Sequence, residues 1–483
     1  MPPHQVLPMD ILIISTNRHA FPAPVIPLGA CMVADAAERA GHTVRLLDLM
    51  FVQDPLWEVE REVTVRKPDV IGLSVRNIDN NDIQQPAFFI RKLIPLMDTL
   101  RRLSDAPLVL GGAAVAVMPK EMMRHTNASY AVLGDGETLF PRLLGSIGDK
   151  ETLKRIPGIA WRRGGKPVVT PPAAPSSSGA CPCPDFRRWI DVDTYLSQLS
   201  TIPLQTKLGC HFKCVYCTYR KIEGEHYRLF APGSVVEAVR KLAASGLRDI
   251  EFVDNVFNSP PGHAMAITEK LAGTHHGARL QSLELNPLYT DDALLTAMEH
   301  AGFSGIGITV ESASDTVLSG LGKGFDAGDV HRAARIVRKH ALPCVWIFMI
   351  GGPGETRATI RETLRFAESC VRSSDIVFFT IGIRIYPETE LAEIARRQGL
   401  LSLPPEEMLE PVFYFSPGVE FSWAVNEIRQ YAAHHMNCIN SDSLRLPFLP
   451  VIHRWGYRCG IRPPLWRYTR FIRRGLRALG VDA

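Results

Sequence analysis

The chain has 483 residues, 46% of them hydrophobic and 22% charged, which excludes disorder or fibre and predicts more than one globular core. A formal charge of +4 is nearly neutral at this length and gives no reason to expect nucleic acid as a partner. The 10 cysteines are few and mostly isolated, and Met1–Asp10 lacks a secretory pattern, so a cytoplasmic protein without a disulfide framework is expected.

From residue 9 to about 150, short apolar strands alternate with helical stretches. The strands are expected at Asp10–Ser15, Thr43–Asp48, Val70–Val75, Leu108–Leu110 and Tyr130–Leu133. Helices are expected at Leu28–Ala40, stopped by Gly41, and at Pro86–Leu103. The pattern predicts a parallel sheet covered on both faces. Its strands run into loops of small or polar residues: Ser15-Thr16-Asn17, Ser74-Val75-Arg76-Asn77, Gly111-Gly112 and Gly134-Asp135-Gly136-Glu137. Loops at the carboxyl ends of such a sheet form a ligand crevice, although ordinary strand–helix turns read the same way. No GxGxxG fingerprint follows the first strand, so a dinucleotide is not favoured.

Residues 151–200 read as a linker, on Gly164-Gly165 and a Pro/Ala/Ser run from Pro171 to Gly179; Cys181 and Cys183 inside it read as incidental thiols. A second alternating series begins at 201. Strands are expected at Pro203–Lys207, Ile250–Val253, Leu283–Leu285, Ile306–Val310, Cys344–Ile350 and Ile376–Ile381, with helices at Val235–Ala243, Asp291–His300, Val330–His340 and Ala358–Cys370. Six β/α repeats to about residue 395 predict a partial barrel with its site at the strand carboxyl ends. Residues 396–483 are irregular, and Tyr414, Phe415, Trp423 and Trp455 read either as pocket walls or as core. The stretch Arg462–Leu479 could form a basic amphipathic helix, with Leu465, Ile472, Leu476 and Leu479 on one stripe. It would pack on its own protein or touch a membrane surface.

The sharpest signal is Cys210-His211-Phe212-Lys213-Cys214-Val215-Tyr216-Cys217, directly after the first strand of the second series. Three thiolates spaced C-x3-C-x2-C can ligate three irons of a [4Fe–4S] cluster and leave the fourth open for a ligand. Zinc is the rival metal, but a structural zinc site wants a fourth donor, and His211 beside Cys210 is poorly placed to close a tetrahedron.

This motif, with an aromatic residue before its last Cys, resembles that of the radical S-adenosylmethionine (SAM) enzymes. The resemblance implies a cluster held by Cys210, Cys214 and Cys217 as the catalytic centre, with SAM chelated at the open iron. It implies SAM contacts at Tyr216, at Asp254, at Asn286, at Glu311 and at the glycine turn Gly351-Gly352. Asp254 stands where many members carry a GGE tripeptide. The competing readings are a cap for Asp254, a rim ion pair for Glu311 and simple packing for the glycines.

A flavodoxin-like domain ahead of such a barrel is similar to the cobalamin-binding subgroup. Gly111-Gly112 with Pro119, and Gly134-Asp135-Gly136-Glu137, match landmarks of that subgroup, as does Tyr386-Pro387-Glu388-Thr389 save for Glu388 in place of Gly. This implies a cobalamin site at Thr16, Ser74, Arg76, Gly111, Gly112, Gly134, Gly136 and Glu137. The Asp-x-His-x-x-Gly motif that gives cobalt a histidine elsewhere is absent, and neither His19 nor His42 has that context. Arg76 would then face the lower side of the corrin, a surface arginine being the alternative. The expectation is an α/β enzyme: residues 1–150 a Rossmann-like cobalamin domain, 201–395 a (β/α)6 TIM-like radical SAM barrel, and 396–483 a small, mostly helical extension. The implied activity is C-methylation of a small or lipid-like molecule through a 5′-deoxyadenosyl radical and methylcobalamin, fed by an external flavodoxin- or ferredoxin-type donor. Oxidative cyclisation or rearrangement is the alternative within the subgroup, and a metal-bearing sensor without turnover the alternative outside it.

Overall fold

The computed structural model describes residues 7–172, 179–440 and 449–478. Strands β1 (Asp10–Ser15), β2 (Thr43–Asp48), β3 (Val70–Ser74), β4 (Leu108–Gly111) and β5 (Tyr130–Val132) lie parallel in the order β2-β1-β3-β4-β5. This is the flavodoxin-like doubly wound order, whose switch point falls between β1 and β3. Ile11, Leu12, Ile13 and Ile14 are each at most 3% exposed. Both faces of the sheet are therefore covered, which is why β1 is apolar throughout rather than alternating. The expected helix at Pro86–Leu103 starts later, at Leu93 after a 3-10 turn Ile90–Lys92. Ala87 N donates to Asn80 Oδ1 (2.9 Å) and Phe88 bridges Asp79, so residues 80–88 form a side-chain-tied loop instead.

The expected linker 151–200 carries structure. Strands β6 (Ile159–Arg163) and β7 (Lys166–Val169) continue the first sheet antiparallel, β6 pairing with β5. Gly164 and Gly165 are the two-residue hairpin turn, with φ of +57° and +81°, the conformation a type I′ turn requires of both residues. The glycine pair reads as a break in sequence because the strand that the hairpin pairs with, β5, lies earlier in the chain. Helix Val192–Ser197 then docks on the first domain, Tyr195 OH donating to Asp48 Oδ2 at 2.6 Å. The run 173–178 lies outside the described residues.

The second sheet is parallel and sequential: β8 (Ile202–Leu204), β9 (Asp249–Phe252), β10 (Arg279–Leu285), β11 (Phe303–Glu311), β12 (Cys344–Ile350), β13 (Ile376–Ile381) and β14 (Cys438–Asn440). The seventh strand was not expected; at three residues it is too short to announce itself. Among the described residues the terminal strands β8 and β14 do not pair, so the barrel is open. Its outer face is dry: Phe252, Ile306, Ile308, Phe348 and Phe379 are fully buried. The strand amino ends are closed by Pro464 and Trp466, since a Cβ at Gly305 would lie 2.9 Å from each. Among the described residues the lumen is therefore blocked at this end and faces the strand carboxyl ends. Among the described residues no helix is long and apolar enough to cross a membrane.

Of the late aromatics, Tyr414 is fully buried and donates to Gln398 Oε1 (2.9 Å), Trp423 stacks under Arg357 and Arg361, and Trp455 is 70% exposed. Only Phe415 reaches the barrel mouth. In the helix Thr469–Ala478, Leu476 is buried and Arg473 donates to the carbonyls of His435 and Ala432 at 3.0 Å, so one face packs on the protein. Leu479 of the expected stripe lies outside the described residues.

Candidate active site

The carboxyl ends of the two sheets face one another across a crevice. Buried Arg384 pairs with Asp79 at 2.7 Å, and Arg228 Nη2 donates to Asp135 Oδ1 at 2.9 Å, each tying the barrel to the first domain. Between them lies a cavity of about 210 Å³. Six of the eight residues expected to hold cobalamin line it: Ser74, Gly111, Gly112, Gly134, Gly136 and Glu137. Gln205, Leu208, Ile222 and Glu223 close it from the barrel side. Gly112 is dictated by geometry, because at φ +100° a Cβ would sit 2.5 Å from Val75 O. Thr16 and Arg76 line a separate cavity of about 140 Å³. Thr16 Oγ1 is spent on the Ser74 carbonyl (2.9 Å), whereas Arg76 is exposed in the crevice, where its charge reaches Tyr219 of the barrel.

The cysteine loop leaves the barrel through Gly209, whose Cβ would lie 2.2 Å from His226 O at φ +83°. Distant backbone then clamps it: Val215 N donates to Leu321 O (3.0 Å), Leu391 N to Val215 O (2.9 Å) and Cys210 N to Gly224 O (3.1 Å). Cys210 is buried, Cys214 and Cys217 are half-buried, and none is in a disulfide. Burial and the neighbouring thiols push Cys217 up to about 12, and burial also raises Cys210. Thiolates crowded in this way need a positive charge among them, which ligated iron supplies. Among the described residues no three His, Cys, Asp or Glu side chains converge as a single metal ion requires. Cluster thiols, each on its own iron, need not converge so closely, and the donor set fits a cluster held at three corners.

Beside the loop, Tyr216 OH donates to Glu311 Oε1 (2.8 Å), and Lys323 Nζ reaches both Glu311 Oε1 (3.2 Å) and Tyr216 OH (3.3 Å). Glu311 sits at φ +65°, a conformation unfavourable for a residue with a Cβ, at a shift of register between β11 and β12. Tyr216 and Glu311, each expected to touch SAM, meet one another here, and Lys323, twelve residues past Glu311, completes the trio. Periodicity could not find it, since its partners lie on other elements.

The family comparisons fall on these two halves. The model of the Radical SAM superfamily matches residues 205–367, and the B12 binding domain matches residues 14–144. The chain is a B12-binding member of the radical SAM superfamily. This radical SAM chain is 24% identical to tryptophan 2-C-methyltransferase of Streptomyces laurentii, over 79% of its length and 74% of the relative's. It is 26% identical to hopanoid C-3 methylase of Methylococcus capsulatus, over 77% of the chain and 69% of the relative. Its fold matches the methyltransferase TsrM of Kitasatospora setae, solved with cobalamin and a [4Fe-4S] cluster bound, at a TM-score of 0.84 and 24% identity, covering 98% of this chain and 99% of that one.

Three expected SAM contacts look different in this radical SAM chain. Asp254 is fully buried, and its oxygens accept from Thr206 N (2.7 Å), Thr206 Oγ1, Lys207 N (3.3 Å) and Lys207 Nζ (3.1 Å). With four donors it has nothing left for a ligand, so it anchors the root of the cysteine loop. Asn286 Oδ1 accepts from Leu288 N (2.9 Å) to cap a 3-10 turn, which commits it, and the Asn286 backbone N and O bond the side-chain amide of Asn258 (2.8 and 2.9 Å). Gly351, at φ +100°, is covered by Phe415, whose ring would lie 2.3 Å from a Cβ, and Gly352 is in contact range of Leu321. Packing therefore explains both glycines.

Sequence reasoning also missed Glu284. It lies on β10 within the register shift between Ser282 and Leu285, half-buried, and burial together with Glu311 pushes its carboxyl up to about 8.

Proposed function

We propose that the chain is a cobalamin-dependent radical SAM methyltransferase that moves a methyl group to an unactivated carbon of a small molecule. One observation carries this reading: a single cavity has the glycine loops of the B12 binding domain as one wall and the root of the cysteine loop as the other. When bound, the cluster supplies an electron for reductive cleavage of SAM and cobalamin carries the methyl group. The chain's own residues position and insulate. Cys210, Cys214 and Cys217 would hold the cluster, and Gly111, Gly112, Gly134 and Gly136 let backbone approach the corrinoid. Glu311, neutralised by Lys323 and Tyr216, presents acceptors at the barrel mouth. Arg76 offers the crevice a fixed cation with no lone pair for a metal. Replacing it by Lys or His is expected to change cobalt spectra and turnover.

An external one-electron donor of the flavodoxin or ferredoxin type, a cytoplasmic setting and a peripheral membrane contact through the basic carboxyl-terminal helix belong to the same proposal. Its test is anaerobic reconstitution with iron, sulfide and cobalamin, followed by host extract and SAM bearing a trideuteromethyl group. A labelled, methylated product is expected, and each of Cys210→Ser, Cys214→Ser and Cys217→Ser should abolish it. An oxidised product without label would instead establish a cyclase or rearrangement enzyme. Failure to consume SAM at all would leave only a sensor.

A further inference from the structure

The end of the barrel away from the crevice carries a surface that neither cofactor explains. Residues Leu449–Ala478 are rich in arginine and contain no Asp or Glu. They fold as the helices Leu449–Arg458 and Thr469–Ala478, joined by the segment whose Pro464 and Trp466 close the strand amino ends. Each helix packs one face on the protein. The first lies on helix Val192–Ser197 and buries His453 and Gly456, and the second buries Thr469, Arg473 and Leu476.

The opposite faces are exposed. Val451, Arg454, Trp455 and Arg458, spaced i, i+3, i+4 and i+7, form one outward stripe, with Val451 57% and Trp455 70% exposed. On the second helix Phe471 is 72% exposed, and Arg474 beside it is exposed too. Trp455 and Phe471 are the two most exposed aromatic side chains among the described residues. The charge around them is unopposed. Arg462 Nη1 is spent on the carbonyls of Tyr457 and Ile461 (2.8 Å each), and Arg473 is spent on carbonyls as well. Arg454, Arg458, Arg470 and Arg474, by contrast, form no ion pair among the described residues.

We propose that these two outward faces together bind the surface of an anionic lipid bilayer. Trp455 and Phe471 enter the headgroup boundary, and Arg454, Arg458, Arg470 and Arg474 meet the lipid phosphates. This rests on the peripheral membrane contact proposed above, and extends it from one helix to two. Rings flanked by guanidinium groups on an amphipathic helix suit an interface between water and acyl chains. Anionic lipid supplies the complementary charge. A second copy of the chain would set like charges against one another. Nucleic acid would stack on the rings but leave Val451 without an apolar partner. Because the two helices flank the strand amino ends, the crevice would face away from the bilayer. The contact therefore holds the enzyme at the membrane without feeding lipid into the site.

The test is co-sedimentation of the full chain, reconstituted anaerobically with cluster and cobalamin, with vesicles of phosphatidylcholine alone or with about 30% phosphatidylglycerol. Binding is expected to favour the anionic vesicles at least about tenfold and to weaken as salt is raised. Trp455→Ala and Phe471→Ala should each weaken it about tenfold. Trp57→Ala, which removes a ring 56% exposed on the first domain, should change nothing. All three side chains are exposed, so the variants are expected to fold, which their melting curves check. Equal binding to both vesicles, binding that survives both ring substitutions, or no binding overturns the proposal. So does a dimer or a retained oligonucleotide, without vesicle binding, that the same two substitutions abolish. Survival would leave a membrane contact elsewhere on the chain, whereas no binding would remove that contact altogether. Methylation is assayed without lipid, so neither result touches the methyltransferase reading.

Discussion

On the B12-binding side of the crevice the ligand wall is mostly backbone, made of glycine loops at the ends of β3, β4 and β5. On the barrel side it is charged side chains whose partners come from distant elements. The two halves present the same kind of edge, strand carboxyl ends in a parallel sheet, yet they store their information differently. A glycine that must sit at φ +100° against a carbonyl is a local constraint and stands in the sequence as a glycine. A carboxylate acquires its role only when the fold decides whether a lysine, a tyrosine or nothing stands opposite.

The largest expected effect tests the barrel side. Asp254→Ala would strip the partner from Lys207, which is 1% exposed at the side chain, and leave a buried uncompensated ammonium. Destabilisation of about 3–5 kcal/mol is expected, read by denaturant unfolding. Weakened SAM binding with an unchanged unfolding midpoint would mean that Asp254 touches the ligand after all, and the contrast between the two walls would fail.

The B12-binding side is sharpened by neighbouring glycines. Gly112→Ala forces a Cβ to within 2.5 Å of Val75 O at an unfavourable φ, and a loss of about 3 kcal/mol is expected. Gly111→Ala meets nothing within 4 Å. It should leave stability unchanged and affect only corrinoid affinity, measured by absorbance titration of the reconstituted domain pair in the full chain. Equal stability losses at both positions would show that the loop is merely tightly packed.

These contrasts explain what could be read in advance. The doubly wound sheet was legible because Ile11–Ile14 and its counterparts are apolar on both faces, a pattern that only two-sided burial produces. The cysteine trio stands out in the sequence because its three thiols fall between Cys210 and Cys217 on one loop. The hairpin Ile159–Val169 was not legible, because Gly164-Gly165 marks a turn equally well whether or not a sheet waits beside it. Asp254, Lys323 and Glu284 were not legible either. The pairing of Lys207 with Asp254 spans 47 residues and that of Tyr216 with Glu311 spans 95, and the upward push on the Glu284 carboxyl depends on what the strands around it contribute.

The smallest expected effect concerns the turn Gly351–Glu355, where a stretch that reads as ligand-facing backbone is held by a buried acid. Glu355 is 1% exposed and accepts from Gly351 N (3.2 Å) and Thr359 Oγ1. Burial pushes its carboxyl up to about 7 from 4.5. The folded chain therefore keeps a proton that the unfolded chain releases, so this group lowers stability as pH rises from about 4.5 to about 7, and the loss is constant above that. Glu355→Gln keeps the acceptor oxygen and cannot ionise. It should be more stable than the parent by about 2 kcal/mol at pH 8 and close to it at pH 5. If the difference between the two proteins were the same at both pH values, Glu355 would be as solvated as an exposed carboxylate. The turn would then be open to a ligand, and the barrel mouth would resemble the glycine wall that it faces.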